Sequence, residues 1–580
     1  MRAFVIAVTA SLVFAAPAVA TMHTATPIGG WLGWISPLIV PAGRDDGLVV
    51  NGGRALASST ARNDTAPPRL SDLRADNGRA PFKGDGPLLT TITPNGDGVR
   101  DRAYVRFRLD EPATVTFRVA RTTTVPKVIY EVTKPLRAGP HAFVWSPTTP
   151  LNPRTHITLL DAVDAAGNVS SYGPPNARVS RYPRTPVIRV QGIDASFARQ
   201  SYAPGELANL RIAADAPALT LKILHSGPER VVTYADNQMA GVDVGYAPVN
   251  LMWSVHRDAP AGVIVRIGDW PSGLYYAELT SADGRVGYAP FVVRPTVLGA
   301  ASRIAVVLPT NSWQAYNFYD ANGNGWGDTW YAGPPNYTVD LSRPYNNKGV
   351  MPRFYRYDLP FLHWLYWSGK TVDFVSDIDL DAVQTGDELA RAYDLIVFEG
   401  HEEYVPEHMF ETVTRFRDLG GNLLFLSANN FFWRVAQTGT EMRKTGQFRQ
   451  VGNPESRLIG VQYRANDHGE KQGNYVVSST ALAPWLWDGT EIADGGTFGS
   501  AVGGYGIEID VVTPDSPPGT TVLAEIPDLL GPGLTAQMTY YETPAGAKVF
   551  AAGTLDFGGS ATTWPTRRML ENLWKRLSPP

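Results

Sequence analysis

At 580 residues the chain exceeds what one hydrophobic core organises, so about three to four domains are expected. A formal net charge of -4 argues against nucleic-acid and anionic-membrane partners, both of which need a basic surface. The absence of cysteine excludes disulfides, cysteine nucleophiles and thiolate metal sites.

The chain begins with an export pattern. Arg2 precedes a short apolar run, and Ala18-Val19-Ala20 supplies a small-residue cleavage site, so residues 1 to 20 are predicted to be a signal peptide and the mature chain to be secreted, periplasmic or held at the cell surface. The apolar run is too short for a stable membrane span. Residues 21 to 85 are rich in Gly, Ala, Pro, Ser, Asp and Arg and are predicted to be a flexible linker; the apolar patch from Trp31 to Pro41 has no assigned place.

Residues 86 to 182 change to short alternating runs, AYVRFRL, TVTFRVA and HAFVWS, separated by turn residues at sandwich spacing. With TPNGDGVRD at Thr93 to Asp101 and DAAGN at Asp164 to Asn168, this stretch resembles the FlgD-like immunoglobulin modules of bacterial surface proteins. Asn95, Asp97 and Asp101 offer oxygens to a calcium ion, or form an Asn-Gly/Asp-Gly turn into the first strand. Residues 186 to 296 carry a second all-β pattern, in which Leu274, Tyr276 and Glu278 alternate with Tyr275 and Ala277; a second sandwich is predicted there.

From residue 300 to 580 strand and helix patterns alternate. RIAVVLP, KTVDFVSD, YDLIVFEG, NLLFLSA and AKVFAAG read as strands covered on both faces. LPFLHWLYWSG, PEHMFETVTRFRDLGG and RRMLENLWKRL read as helices, the second with Met409, Val413, Phe416 and Leu419 at helical spacing. The expected fold is therefore multidomain: two Ig-like β-sandwiches followed by an α/β domain with a largely parallel sheet. Sites on such sheets lie beyond the carboxyl ends of the strands, which directs attention to the loops after Gly400, Ala428 and Gly553.

The domain carries, in order, SWQAYN (Ser312 to Asn317), SRPY (Ser342 to Tyr345), GHEEY (Gly400 to Tyr404), GGNLLFLSANNFFWR (Gly420 to Arg434) and GIEID (Gly506 to Asp510). As an ordered set, over roughly residues 190 to 580, they resemble the N,N-dimethylformamidase large-subunit (beta-subunit) family. The resemblance implies a glutaminase-like α/β domain and an iron ion held by two tyrosinates and a glutamate, activating a water for hydrolysis of a C–N amide bond. Carried over residue by residue, the first tyrosine falls on Tyr404 and the carboxylate on Glu508. The second tyrosine position holds Phe432, which has no oxygen, and Gly506 stands where active members tend to carry His. His401, Glu402 or Glu403 could stand in for the missing ligand, and a histidine ligand would favour zinc over iron. His401, Glu402 and His468 are the candidate acid–base residues. The bland alternative makes Tyr404 and Phe432 packing residues and pairs Glu508 with Arg434.

Asp320, Asn322, Asn324 and Asp328, with Gly325 at the sixth position, reproduce the first part of a calcium loop, although Tyr331 takes the place of its closing glutamate. A metal-free Gly/Asn turn is the alternative. Two functions remain open from sequence: hydrolysis of a small linear or peptide-like amide, or non-catalytic binding of an extracellular glycan or peptide by the aromatic cleft.

Overall fold

The protein is described here by a computed structural model that covers residues 64–579 apart from 124–125, 148–151, 174–183, 231–237, 253–260 and 333–337. The predicted export signal at residues 1–20 and the apolar patch at Trp31–Pro41 lie outside the described residues. The described chain is multidomain and rich in strands.

A period of two dictates the first two modules. Strand Ala103–Leu109 buries Ala103, Val105, Phe107 and Leu109 and leaves the residues between them more open. It pairs with Leu70–Asp76 and Gly139–Trp145, and this sheet faces a second one built on Ala113–Arg121 and Arg154–Val163. Two boundaries differ from the sequence expectation. Leu70–Asp76 falls inside the predicted linker but is a strand, because Leu70, Leu73 and Ala75 complete the sandwich core. Val187–Val190, expected in the second module, pairs with Leu89–Ile92 and Arg154–Val163 and buries Ile188 and Val190 in the first.

The second sandwich sets Ile193–Phe197, Leu207–Ala214 and Ala261–Arg266 against a sheet centred on Ala218–His225, Gly273–Ser281 and Val286–Val293. Strand Gly273–Ser281 was expected to bury one face, yet it buries both. Tyr275, Ala277 and Leu279 fill the sandwich, while Leu274 and Tyr276 join the core of the following domain. The two backbones come close enough there that a Cβ on Gly349 (φ 94°) would stand 1.8 Å from the Tyr288 carbonyl oxygen.

The C-terminal domain is built on a nine-stranded mixed sheet. Ile304–Leu308, Asp373–Ser376, Leu395–Phe398, Asn422–Phe425 and Lys548–Ala551 run parallel. The sheet then continues antiparallel through Ala536–Glu542, Thr521–Ile526, Tyr475–Val477 and Thr497–Phe498. The largely parallel expectation thus holds for one half only: hairpin connections, which antiparallel strands allow, build the other.

Alternation across the parallel strands explains the layers. Val306, Leu308, Val397 and Leu424 face helices Leu359–Trp367 and Thr566–Leu577, while Ala305, Val307, Ile396 and Phe425 face helix Glu407–Asp418. That last helix buries Met409, Val413 and Phe416 as its spacing predicts, but Leu419 lies just past its end and is exposed. Phe398 stacks on Phe425 at 4.8 Å, both fully buried, and each such side chain stabilises the core by roughly 1.5–3 kcal/mol. Among the described residues no helix is long and apolar enough to cross a membrane.

Candidate active site

The chain leaving strand Leu395–Phe398 is extended and held from both sides. Ser312 Oγ accepts the Glu403 N–H at 3.0 Å and Asn311 Nδ2 donates to the Tyr404 carbonyl at 3.0 Å. From the other side, the Phe431 and Trp433 N–H groups donate to the carbonyls of Glu402 and Glu403 at 2.7 and 2.8 Å. Tyr404 opens a short strand parallel to Trp433–Thr438. The SWQAYN and NNFFWR segments are therefore splints for GHEEY.

An extended backbone sends alternate side chains to opposite sides. His401 and Glu403 face a cluster of phenols, and Tyr404 joins it with its ring fully buried. The hydroxyls of Tyr331 and Tyr404 are in contact. Tyr331 also donates to the Tyr316 hydroxyl at 3.1 Å, and Tyr316 donates to Glu403 Oε2 at 2.6 Å. His401 Nε2 lies 3.6 Å from Glu403 and 3.4 Å from Glu508, with no formed hydrogen bond. Glu508 starts the strand Glu508–Val511, and its Oε2 is buried without a hydrogen-bond partner. Rings close the wall: Tyr316 stacks on Tyr331 at 4.6 Å and Trp330 on Tyr404 at 5.1 Å. The Lys444 ammonium sits over Trp433, Trp330, Tyr331 and Tyr404 at 4.0 to 5.2 Å from their centroids.

Burial governs the electrostatics. It holds the phenols of Tyr404, Tyr331 and Tyr316 well above the usual tyrosine range and raises the Glu403 carboxyl. Burial pulls Lys444 down to about 8 against the upward pull of Glu403. At His401 burial opposes the imidazolium, but Glu508 and Glu403 together outweigh it and its pKa is raised.

Several sequence candidates end up elsewhere. Glu402 turns away from this cluster, towards Asp377, Glu399 and Asp358, where all four carboxyls are buried. His468 stands exposed on a loop with φ 61°, and no described contact joins it to the cluster. Glu508 does not pair with Arg434, which binds Glu407 at 3.2 Å. Phe432 has its ring against Trp433 at 4.9 Å and Tyr463 at 5.1 Å, with the Arg449 guanidinium 4.8 Å above it.

The Asp320 loop closes on itself. Asp320 accepts the N–H groups of Gly323, Asn324 and Gly325, while Asp328 accepts from the Ala321 N–H and from Asn322. Asn324 Oδ1 accepts the Trp326 N–H. These hydrogen bonds are those of a closed turn. In the N-terminal sandwich, Asp101 likewise accepts from the N–H groups of Asn95, Gly96 and Gly98, the geometry of a turn.

Tyr316, Tyr331, Trp330 and Lys444 were not recognised from sequence. Tyr316 lies inside SWQAYN, so the motif pointed at it; Tyr331 and Lys444 reach the site only by tertiary folding.

The family model for the C-terminal part of N,N-dimethylformamidase beta subunit-like proteins matches residues 250–566, which contain every residue of this cluster. The chain belongs to this family. Two members are the N,N-dimethylformamidase beta subunits of Paracoccus aminophilus, 24% identical over 259 residues, and of an Alcaligenes species, 25% identical over 259 residues. Each match covers 35% of this chain and 34% of the relative, so the chain matches about a third of the length of these family members. Among solved structures, Escherichia coli alpha-2-macroglobulin in its native conformation aligns with 40% of this chain and 16% of its own, at 12% identity and a TM-score of 0.24. Dimeric latent PorU from Porphyromonas gingivalis aligns with 41% of this chain and 21% of its own, at 13% identity and a TM-score of 0.15. Likeness at that level carries no argument about the family domain.

Proposed function

We propose that this protein is a secreted, metal-dependent hydrolase of a linear amide, with a glutaminase-like catalytic domain behind two immunoglobulin-like spacers. The observation that carries the proposal is the buried run of oxygen donors from Tyr404 through Tyr331 and Tyr316 to Glu403, with His401 between Glu403 and Glu508.

The donor set fits a hard cation. Tyr331, Tyr316 and Glu403 form a chain of hydrogen-bonded oxygens at 3.1 and 2.6 Å, which is the donor chemistry a hard cation takes. The acids and imidazole alone do not converge: among the described residues, the only trio of Asp, Glu and His donors within 4.8 Å of one another is Asp64, Glu111 and Asp164. Phenols are what complete the site. Tyr404 and Glu508 would hold the ion; an all-oxygen set favours iron, and participation of His401 would favour zinc. When bound, the ion supplies Lewis acidity towards the amide carbonyl and makes the attacking water more acidic.

The other groups do the rest of the work. His401, its proton favoured by two carboxylates, is placed to give that proton to the departing amine nitrogen. Rings of Tyr316, Tyr331, Trp330 and Trp433 exclude bulk water and leave an apolar wall for small N-alkyl groups. Lys444 opposes the negative charge of Glu403 and lies over the faces of Tyr331 and Tyr404.

The test is hydrolysis of N,N-dimethylformamide and a panel of formamides, acetamides and N-acyl amines by the metal-loaded full chain, read as amine release. His401→Asn is expected to lower the rate of the iron-loaded chain by about 10²–10⁴-fold with iron content unchanged. An unchanged rate in that variant removes the proton-donor role. No turnover of any amide by the metal-loaded wild type contradicts the hydrolase reading.

A further inference from the structure

The family position for a second phenol ligand is Phe432, and the fold brings a different tyrosine to the same cluster. We infer that Tyr331 supplies the second tyrosinate of the metal centre, so that the ligand has moved from the NNFFW segment to the loop ahead of strand Val339–Asp340; this rests on the metal-dependent reading above.

Three observations carry it. The Tyr331 hydroxyl touches that of Tyr404, and no other phenol besides Tyr316 is hydrogen-bonded to this pair among the described residues. Tyr331 is also held rigidly. Its ring stacks on Tyr316 with planes 8° apart, and the preceding Thr329 donates its hydroxyl to the Ala315 carbonyl. Finally, Phe432 is committed to apolar and cation–π contacts with Trp433, Tyr463 and Arg449, which give it a packing role that needs no oxygen.

The residues that resemble a calcium loop acquire a purpose in this account. Asp320 gathers the N–H groups of Gly323, Asn324 and Gly325 and so fixes the turn. Arg343 reaches from the SRPY segment to the carbonyls of Gln314, Tyr319 and Asp328. The loop is a bracket that sets Tyr331 at the correct height, and a ligand carried on a braced loop keeps the geometry that metal affinity depends on. Tyr463 is the competing phenol. It packs on Phe432, but its hydroxyl accepts from Asn466 Nδ2 at 2.7 Å and makes no described hydrogen bond to Tyr404, Tyr331 or Tyr316.

The experiment uses the full chain, stripped with a chelator and titrated with iron(III), with iron per chain and the visible phenolate-to-iron absorption as readouts. Wild type, Tyr331→Phe, Tyr463→Phe and the double variant Tyr331→Phe/Phe432→Tyr are compared. Tyr331→Phe is expected to lose about half of the visible absorption and to bind iron at least about tenfold more weakly. Tyr463→Phe is expected to match wild type. Recovery in the double variant supports relocation of the ligand and shows that the loss in Tyr331→Phe is not misfolding. Iron uptake with absorption indifferent to Tyr331→Phe, or lost instead in Tyr463→Phe, overturns this inference and leaves the metal-dependent reading standing. A wild-type chain that takes up no iron and shows no absorption overturns both.

Discussion

Replacing Glu399 by Gln is expected to stabilise the protein at pH 7.5 and to leave it unchanged at pH 4.5. Glu399 follows the buried strand Leu395–Phe398, is fully inaccessible, and has both carboxyl oxygens buried without a hydrogen-bond partner. Burial, reinforced by Asp358, holds its carboxyl well above the usual range of about 4.5, and Asp358 itself is pushed up to about 8 by burial. The folded protein therefore keeps a proton that the unfolded chain gives up as pH rises past about 4.5. With fewer protons on the unfolded state, stability falls with increasing pH by about 1.4 kcal/mol per unit for this group, until the folded carboxyl also ionises. Glutamine keeps the shape and removes the titration. The gain in the variant should thus appear between pH 4.5 and 7.5, measured by denaturant unfolding at the two pH values. Equal stability differences at both pH values would show that Glu399 is not held protonated.

Arg343→Met is expected to cost about 1–3 kcal/mol and to weaken metal binding without touching the phenol cluster. The guanidinium is only 5% exposed and spreads its donors over four backbone carbonyls, those of Gln314, Tyr319, Asp328 and Asp340, as well as Gln314 Oε1. Burial draws its pKa down, yet an arginine remains charged, and its rigid fork serves acceptors that a lysine could not reach together. Methionine fills the space but leaves the Asp328 carbonyl without its Arg343 donor, at about 1–3 kcal/mol if water cannot enter, while the Gln314 and Tyr319 carbonyls keep the Asn317 and Asp328 N–H groups. Because the same contacts brace the segment leading to Tyr331, iron affinity should fall in step with stability. Calorimetry and iron titration of the variant check both halves. Full stability with full affinity would contradict the bracing role.

The parallel half of the sheet was legible because its strands are continuous apolar runs. RIAVVLP and YDLIVFEG have no polar face to hide, and both are buried throughout. Leu70–Asp76 was hidden because LSDLRAD buries only three apolar residues at irregular spacing and interrupts its pairing with a register shift between Ser71 and Arg74. The two-faced burial of Leu274 and Tyr276 depends on a domain that local pattern cannot see.

At the site, motif order led to His401, Tyr404 and Glu508. His401 and Glu403 turn to the phenol cluster while Glu402 turns to Asp377, a division that motif order alone does not reveal. Tyr331 was beyond reach for another reason. It lies 73 positions from Tyr404, and only a loop closed by Asp320 and braced by Arg343 brings the two hydroxyls together. The oxygen side chains that suggest a calcium loop in the sequence also close this turn, since the same residue types serve both.

The central claim, that the phenol and carboxylate cluster is a metal centre, is tested most directly by elemental analysis of the full chain expressed with iron and zinc supplied, beside Tyr404→Phe. The account predicts close to one iron or zinc per chain in the wild type and little in the variant. A wild type without transition metal, or a metal content indifferent to Tyr404→Phe, would contradict it.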